Sequence, residues 1–220
     1  MSHRRCRHCY GALNRYGKRG RLQRYRCQDC SRVQQLHYRI KRKEEIDTIL
    51  LVKLHNEGMG ISGIARILEV SKSTVQRKLV NLSEKIRVPE IIESNQEYEV
   101  DELKTFIGNK KNESWVMYAI NRRTKQVFGL TVGRRTKENL RKVIDVLLKL
   151  NPKKIYTDGL NMYPGLIPKK IHRKSRKILA FIERKNLTLR THIKRLNRKT
   201  ICYSKSEGML RSSVLLYLYR

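Results

Sequence analysis

Seven side chains in this 220-residue sequence stand out for what they could bind. Four are cysteines, paired as Cys6-Arg-His-Cys9 and Cys27-Gln-Asp-Cys30 with seventeen residues between the pairs. Each C-x2-C turn can aim two thiolates at one ion, and two turns complete a closed tetrahedron, so the spacing predicts a Zn²⁺ site on Cys6, Cys9, Cys27 and Cys30. Four thiolates leave no open position, which makes the site structural rather than catalytic. Two disulfides are the alternative, and a reducing compartment disfavours them. The fifth cysteine, Cys202, reads as a small buried apolar residue.

The other three are carboxylates. The chain has five Asp; Asp29 sits in a cysteine turn, and Asp47 and Asp145 fall on helical patterns among Lys and Arg. Asp101, in EYEVDELKTFIG, and Asp158, in KIYTDG, instead lie in or just after apolar strand-like runs. Strand ends of an open α/β sheet converge on a crevice, where such side chains meet. The third is Glu183, the one acid among thirteen Lys and Arg from Lys169 to Thr200. On a helix starting near Leu179, the residues Ile182, Asn186, Leu189, Ile193 and Leu196 form one stripe. Glu183 stands about 100° from it, at an edge that can reach a crevice, with Arg190 and Lys194 stacked on its own face. Together Asp101, Asp158 and Glu183 would hold two hard divalent cations, Mg²⁺ or Mn²⁺. Such a pair clamps the attacking and leaving oxygens of a phosphoryl transfer. Alternatively Glu183 only pairs with Lys185 or Arg190 at the surface, which contributes ~0–1 kcal/mol. Spacing leaves both readings open.

These residues need three kinds of support, and the chain offers three segments. Over residues 1–40, RLQRYRC alternates like a strand and Gly11, Gly17 and Gly20 supply turns, as in a zinc ribbon. Residues 41–86 read as helices. Ile46, Ile49, Leu50 and Leu54 give the first its apolar face, and Glu57-Gly58 ends it. GISGIARILEVSKSTVQRKLVNL then offers two more, with Ile61, Ile64, Ala65 and Leu68 inward on one and Val75, Leu79 and Leu82 inward on the other, capped by Ser71. That leaves Lys72, Ser73, Thr74, Gln76, Arg77 and Lys78 outside, a set suited to phosphates and base edges, as in a helix-turn-helix. The turn position often held by Gly carries Glu69. A plain three-helix bundle with a solvated basic face is the alternative. Pro89 breaks any helix across 87–97, which reads as a linker.

Residues 98–220 form the third segment. After EYEVDELKTFIG, WVMYAI and QVFGLTV read as a hairpin around NRRTK. TKENLRKVIDVLLKL reads as a helix capped by Thr136, with Leu140, Val143, Ile144, Leu147 and Leu148 in one stripe and Pro152 beyond its end. KIYTDG and the basic helix follow. Three antiparallel strands, helix, strand, helix is the order of an RNase H-like α/β domain, so the whole chain reads as multidomain.

The net charge of +32 implies a polyanionic partner, because so much like charge repels itself. Double-stranded DNA, held through its phosphates, fits best; a packaging or ribosomal protein is the bland competitor. No apolar run approaches the ~20 residues of a spanning helix, and MSHRRCRHC lacks the apolar core of a signal peptide, so membrane attachment is not expected and the protein is expected inside the cell.

IERKNLTLR followed by RLNRKT and YSKS, with EYEVDEL, IYTDG, GISGIARILEVSKSTVQRKL and GRLQRYRCQDC, resembles the bacterial transposases of the insertion-sequence-one type, of the DDE class, nearly end to end. The resemblance implies a catalytic triad of Asp101, Asp158 and Glu183, and twenty-four residues separate the last two as the family pattern expects. It implies a DNA contact near the cut for Arg190, on a basic helix that, with Lys194, holds the DNA backbone. It also implies a cytoplasmic, nucleoid-associated enzyme acting as a homo-oligomer on the terminal inverted repeats of its own element and on target DNA, by hydrolytic nicking and then strand transfer from a 3′-OH. ILAFIE and the tail SEGMLRSSVLLYLYR depart from the expected pattern. A non-enzymatic DNA-binding regulator or inactive copy needs only the first ninety residues and the charge. A Mg²⁺ nuclease without joining activity would use the same carboxylates.

Overall fold

The structure is a computed structural model that describes residues 5–36, 46–88, 94–197 and 199–219. The boundary expected at residue 40, together with Pro89 and the middle of the expected linker, lies outside the described residues. The chain packs as two compact units, Met1–Glu45 and Ile46–Arg220.

In the first unit β1 (Leu13–Arg19), β2 (Leu22–Cys27) and β3 (Val33–Gln34) make an antiparallel sheet in that order. Gly17 and Gly20 take φ of 62° and 58° around the β1–β2 turn, a region open to glycine without steric cost. Gly11 does something other than turn the chain. A Cβ there would stand 2.0 Å from the Asp29 carboxylate and 3.1 Å from Cys27 Sγ, so the missing side chain is what lets the two cysteine turns close on each other.

The second unit opens with α1 (Thr48–Asn56), α2 (Ile61–Ile67) and α3 (Lys72–Glu84). Asp47 caps α1 by accepting from Ile49 N and Leu50 N, and Ser71 caps α3 by accepting from Thr74 N at 3.1 Å. The inward face of α1 is Leu51, Val52 and His55, whereas Ile49 is 65% exposed. Of the expected stripe, Ile46 and Leu54 pack against the three-helix cluster, whereas Ile49 and Leu50 stay exposed, because docking on the neighbouring helices selects the adjacent face. Ile64, Ala65, Val75 and Leu79 are buried as expected.

A five-stranded sheet follows, in the order β6-β5-β4-β7-β8. β4 (Glu97–Ile107), β5 (Asn109–Asn121) and β6 (Val127–Gly133) are antiparallel; β7 (Lys154–Thr157) and the short edge strand β8 (His172–Lys174) are parallel to β4. Helix α4 (Lys137–Leu148), capped by Thr136 through Asn139 N, buries Leu140, Val143, Ile144 and Leu147 against Tyr98, Val100, Met117 and Ala119. The opposite face carries α5 (Ala180–His192) and α6 (Glu207–Tyr219), with Ile182, Leu189, Leu210 and Val214 over Leu103, Val116, Tyr118 and Ile120. The period-2 alternation of β4 and β5 thus divides their side chains between two helical layers, the arrangement of an RNase H-like domain.

Two expectations about the C-terminal region change. Helix α5 stops at His192; Ile193 is extended (φ −103°, ψ 92°), and Lys194–Leu196 form a separate 3-10 turn. Lys194 consequently does not continue Glu183's helical face. The tail is a helix buried on most sides: Leu216 of α6 joins Leu51, Ile64, Val75 and Leu79 of the three-helix cluster, while Leu210 and Val214 belong to the sheet. Cys202 is exposed rather than buried. No helix among the described residues is long and apolar enough to cross a membrane.

Candidate active site and its surroundings

The carboxylates meet through strand register. β4 and β7 pair in parallel with Glu99 beside Tyr156, and two more residues along each strand bring Asp101 beside Asp158. Carboxylate oxygens of Asp101, Glu102 and Asp158 all lie within 4.8 Å of one another. Glu102 gives no signal in the sequence, because alternation sends it to the other face of β4 from Asp101. It reaches the crevice all the same, where the buried Tyr163 hydroxyl donates to its Oε1 at 2.5 Å. Asp158 Oδ1 accepts from Leu160 N at 2.9 Å, which fixes its carboxylate at the turn after β7. Burial, then the charges of Asp158 and Glu183, push the Asp101 carboxyl up to about 6. Burial, then Asp101 and Asp158, push Glu102 up to about 7. Crowded acids in a basic protein are a fit for divalent cations with oxygen ligands, whose charge would offset the mutual repulsion.

Glu183 is exposed in the first turn of α5 and lies outside the 4.8 Å group, although its charge is felt at Asp101. Its backbone is pinned on both sides. Ile182 N donates to the buried Glu99 Oε2 at 2.8 Å, so a β4 carboxylate satisfies an orphan N–H of α5. One turn on, Asn186 Nδ2 donates to Asp101 Oδ2 at 2.7 Å and Asn186 Oδ1 accepts from Tyr118 at 2.7 Å. In the sequence pattern Asn186 falls on the apolar stripe; in the fold its amide is the link that ties α5 to Asp101. Arg190, the expected DNA contact and the alternative surface partner for Glu183, directs Nη1 to Leu196 O at 2.6 Å and Nη2 to Lys104 O at 3.3 Å.

The cysteines also converge. Their sulfurs lie within 4.8 Å of one another, with Cys6–Cys30 at 3.6 Å and Cys9–Cys27 at 3.4 Å, and none is in a disulfide. A tetrahedral Zn–S₄ site has edges of about 3.8 Å, so the donor set fits zinc. Both turns end alike: the residue after the second cysteine, Tyr10 or Ser31, is left-handed with φ of 62° or 57°. His8 N–H donates to Cys6 Sγ at 3.4 Å and leads the effects that draw this thiol down to about 7, while at Cys9 a lowering backbone bond from Gly11 is outweighed by the Cys27 and Cys30 thiols, which push it up to about 12.

On α3, Lys72, Ser73, Gln76 and Arg77 are exposed and Thr74 and Lys78 half-buried. The hydroxyls of Ser73 and Thr74 lie 2.9 and 2.7 Å from Ser71 Oγ, so both take part in the cap. Ser73, Gln76 and Arg77 face a cleft of about 910 Å³ whose other wall includes His192, Lys194 and Lys205. Residues expected to hold DNA from the helical and the α/β segments therefore share one basic groove.

Comparison with known proteins places this architecture. A family profile described as "IS1 transposase" matches residues 97–219, through the tail that departed from expectation, and one described as "Helix-turn-helix domain of resolvase" matches residues 39–81. The insertion element iso-IS1n protein InsB of Shigella dysenteriae is 42% identical over 108 residues, which cover 49% of this chain and 82% of that protein. The insertion element IS1 2 protein InsB of Escherichia coli K12 is 35% identical over 108 residues, 49% of this chain and 65% of that protein. Among solved structures, the HTLV-2 integrase catalytic core domain in complex with magnesium aligns with a TM-score of 0.38 and 13% identity, covering 58% of this chain and 86% of that one. With the profile spanning the whole sheet, its carboxylates and both C-terminal helices, the chain belongs to the IS1 transposase family.

Proposed function

We propose that the protein cuts the terminal inverted repeats of its own insertion element and joins the freed 3′-OH to target DNA, working as a homo-oligomer on double-stranded DNA inside the bacterial cell. The observation that carries this reading is the meeting of Asp101, inside β4, with Asp158, just past the end of β7, in a chain of this family, with the first turns of α5, which carry Glu183, tied to Glu99 and Asp101. Asp101, Asp158 and Glu183, with Glu102 at hand, would hold Mg²⁺ or Mn²⁺, which supplies activation of the attacking oxygen and stabilisation of the leaving 3′ oxygen. The protein's own part is positioning. Asn186 and Glu99 set Asp101 and the start of α5 in one frame, which would hold Glu183 where it can complete the metal site with Asp101 and Asp158. Ser73, Gln76, Arg77 and Lys194, which line the groove, would hold the DNA there, with Lys72, Thr74 and Lys78 of the same helix α3 adding contacts beside it. Arg190, whose guanidinium is held on the Leu196 and Lys104 carbonyls, would present its charge to the DNA backbone from that position. Cys6, Cys9, Cys27 and Cys30 would hold Zn²⁺ and shape the first segment, which with residues 41–86 recognises the element ends, ahead of the linker 87–97 and the catalytic segment 98–220.

The test uses full-length protein, Mg²⁺, a labelled fragment carrying the element end and a supercoiled plasmid. Wild type joins label to plasmid; Asp158→Ala and Glu183→Gln abolish joining, by a factor of at least about 10³, and bind the fragment as wild type does. Binding without joining by wild type would favour a regulator or inactive copy, and loss of binding in Asp158→Ala would make that aspartate structural.

A further inference from the structure

The sole tryptophan of the chain, Trp115, stands where β5 leaves the core. It is half-buried, packed on its inner side against the α4-facing cluster, and its outer side borders an open cleft of about 430 Å³. Such a volume is within the ~300–1,000 Å³ of small-ligand sites. Cations crowd the ring. The Arg135 guanidinium carbon lies 4.1 Å from the ring centroid and Lys104 Nζ 5.7 Å from it, and Lys111 and Arg134 line the same cleft. Glu113, also in the lining, is paired with Lys104. Among the described residues no carboxylate forms an ion pair with Lys111, Arg134 or Arg135.

The cleft lies next to the acids. Lys104 pairs with Trp115 and Glu102 with Met117, so Trp115 lies on Glu102's face of the sheet, two residues along, roughly 7 Å. Arg135 is near enough for its charge to act on Glu102. An aromatic plane and three cations that form no ion pair among the described residues, next to the clustered acids, suit a nucleotide. A base inside duplex DNA has both faces covered by its neighbours, so only an unstacked base can lie on an indole.

We propose that this cleft captures one unpaired nucleotide flanking the scissile phosphate, its base stacked at Trp115 and Arg135 and its phosphate held by Lys111 and Arg134. The site rests on the reading of the carboxylates as the strand-cutting centre, and it would keep the DNA end splayed once the strand is opened.

Because Trp115 is the only tryptophan, its emission in unmodified full-length protein reports the contact directly. The protein is titrated, without added Mg²⁺, with a short duplex bearing an unpaired thymidine tail and with the same duplex blunt, binding being followed in parallel by anisotropy of a label on the DNA. The tailed duplex is expected to quench Trp115 saturably and the blunt duplex to bind without quenching. Arg135→Ser and Trp115→Ala should each weaken the tailed duplex about tenfold and leave the blunt duplex unchanged, with Trp115→Phe restoring most of the loss. Unchanged emission with tailed DNA bound, no binding of tailed DNA, or equal quenching by the blunt duplex would overturn the proposal. Joining is scored separately. Joining without quenching removes the nucleotide site alone, whereas tail-dependent quenching in a protein that never joins removes the catalytic reading and leaves the cleft as a DNA-end binder.

Discussion

Asp101 and Glu102 are neighbours in sequence and point to opposite faces of β4, yet both reach Asp158 because β7 ends beside them. Their ordinary values near 3.8 and 4.5 rise to about 6 and about 7, with burial the leading cause in each. The folded chain therefore holds extra protons, and stability falls as pH climbs from the ordinary carboxylate range through those two values. Glu102→Gln removes one of the crowded charges. It is expected to raise the Tm of protein without added Mg²⁺ at pH 8 by roughly 2–6 °C and to leave it unchanged at pH 4, where the carboxyl is already protonated; melting curves at the two pH values decide it. Added Mn²⁺ should stabilise wild type more than this variant, and equal stabilisation would place Glu102 outside any metal site.

Among the elements, α5 depends most on residues outside itself. Its Leu179 cap gives no side-chain bond, and the buried Glu99 substitutes, held in turn by Arg122 Nε at 3.2 Å in an ion pair without hydrogen-bond alignment. Burial raises the Glu99 carboxyl, and Arg122 opposes that rise. Arg122→Leu leaves the buried carboxylate without its partner and is expected to cost about 2–4 kcal/mol, more at pH 8 than at pH 5, by denaturant unfolding. Loss of joining should accompany it, since Glu183 sits on the same turn. In the helix-turn-helix, α2 ends in a Schellman arrangement: Val70 N donates to Ala65 O at 3.0 Å and Glu69 N to Arg66 O at 3.3 Å, with Glu69 left-handed at φ 50°. Glu69→Gly should stabilise by about 0.5–1 kcal/mol, whereas Glu69→Val should destabilise by about 1–2 kcal/mol. Equal Tm for the two variants would show that the turn relaxes to another shape.

For the molecule as a whole, α6 makes the helices and the sheet of Ile46–Arg220 one unit. Leu216 fills the three-helix cluster while Leu210 and Val214, on the same helix, fill the sheet's. Ser83 and Ser212 share a buried hydroxyl bond at 2.8 Å across the α3–α6 contact. Leu216→Ala is expected to lower the Tm by roughly 5–15 °C in one cooperative transition. Two separated transitions would mean that the helices fold independently of the tail.

Local pattern and covalent spacing were enough for several features. The cysteine turns, the Ser71 and Thr136 caps, the hairpin after Asp101 and the α4 stripe depend on interactions within a few residues, and the family motifs are contiguous strings. Features that depend on which distant surface arrives were not legible. The buried face of α1 turned to Leu51 and Val52 because of what packs on it, and α5 ended at His192 although its apolar spacing runs on to Leu196. Glu102 joined the acids and Asn186 left the apolar set only because β7 and α5 close on β4. The charge of +32 was a property of composition alone; which cations meet one tryptophan beside the acids was a decision of the fold, since contacts between strand, turn and helix have no period in the sequence.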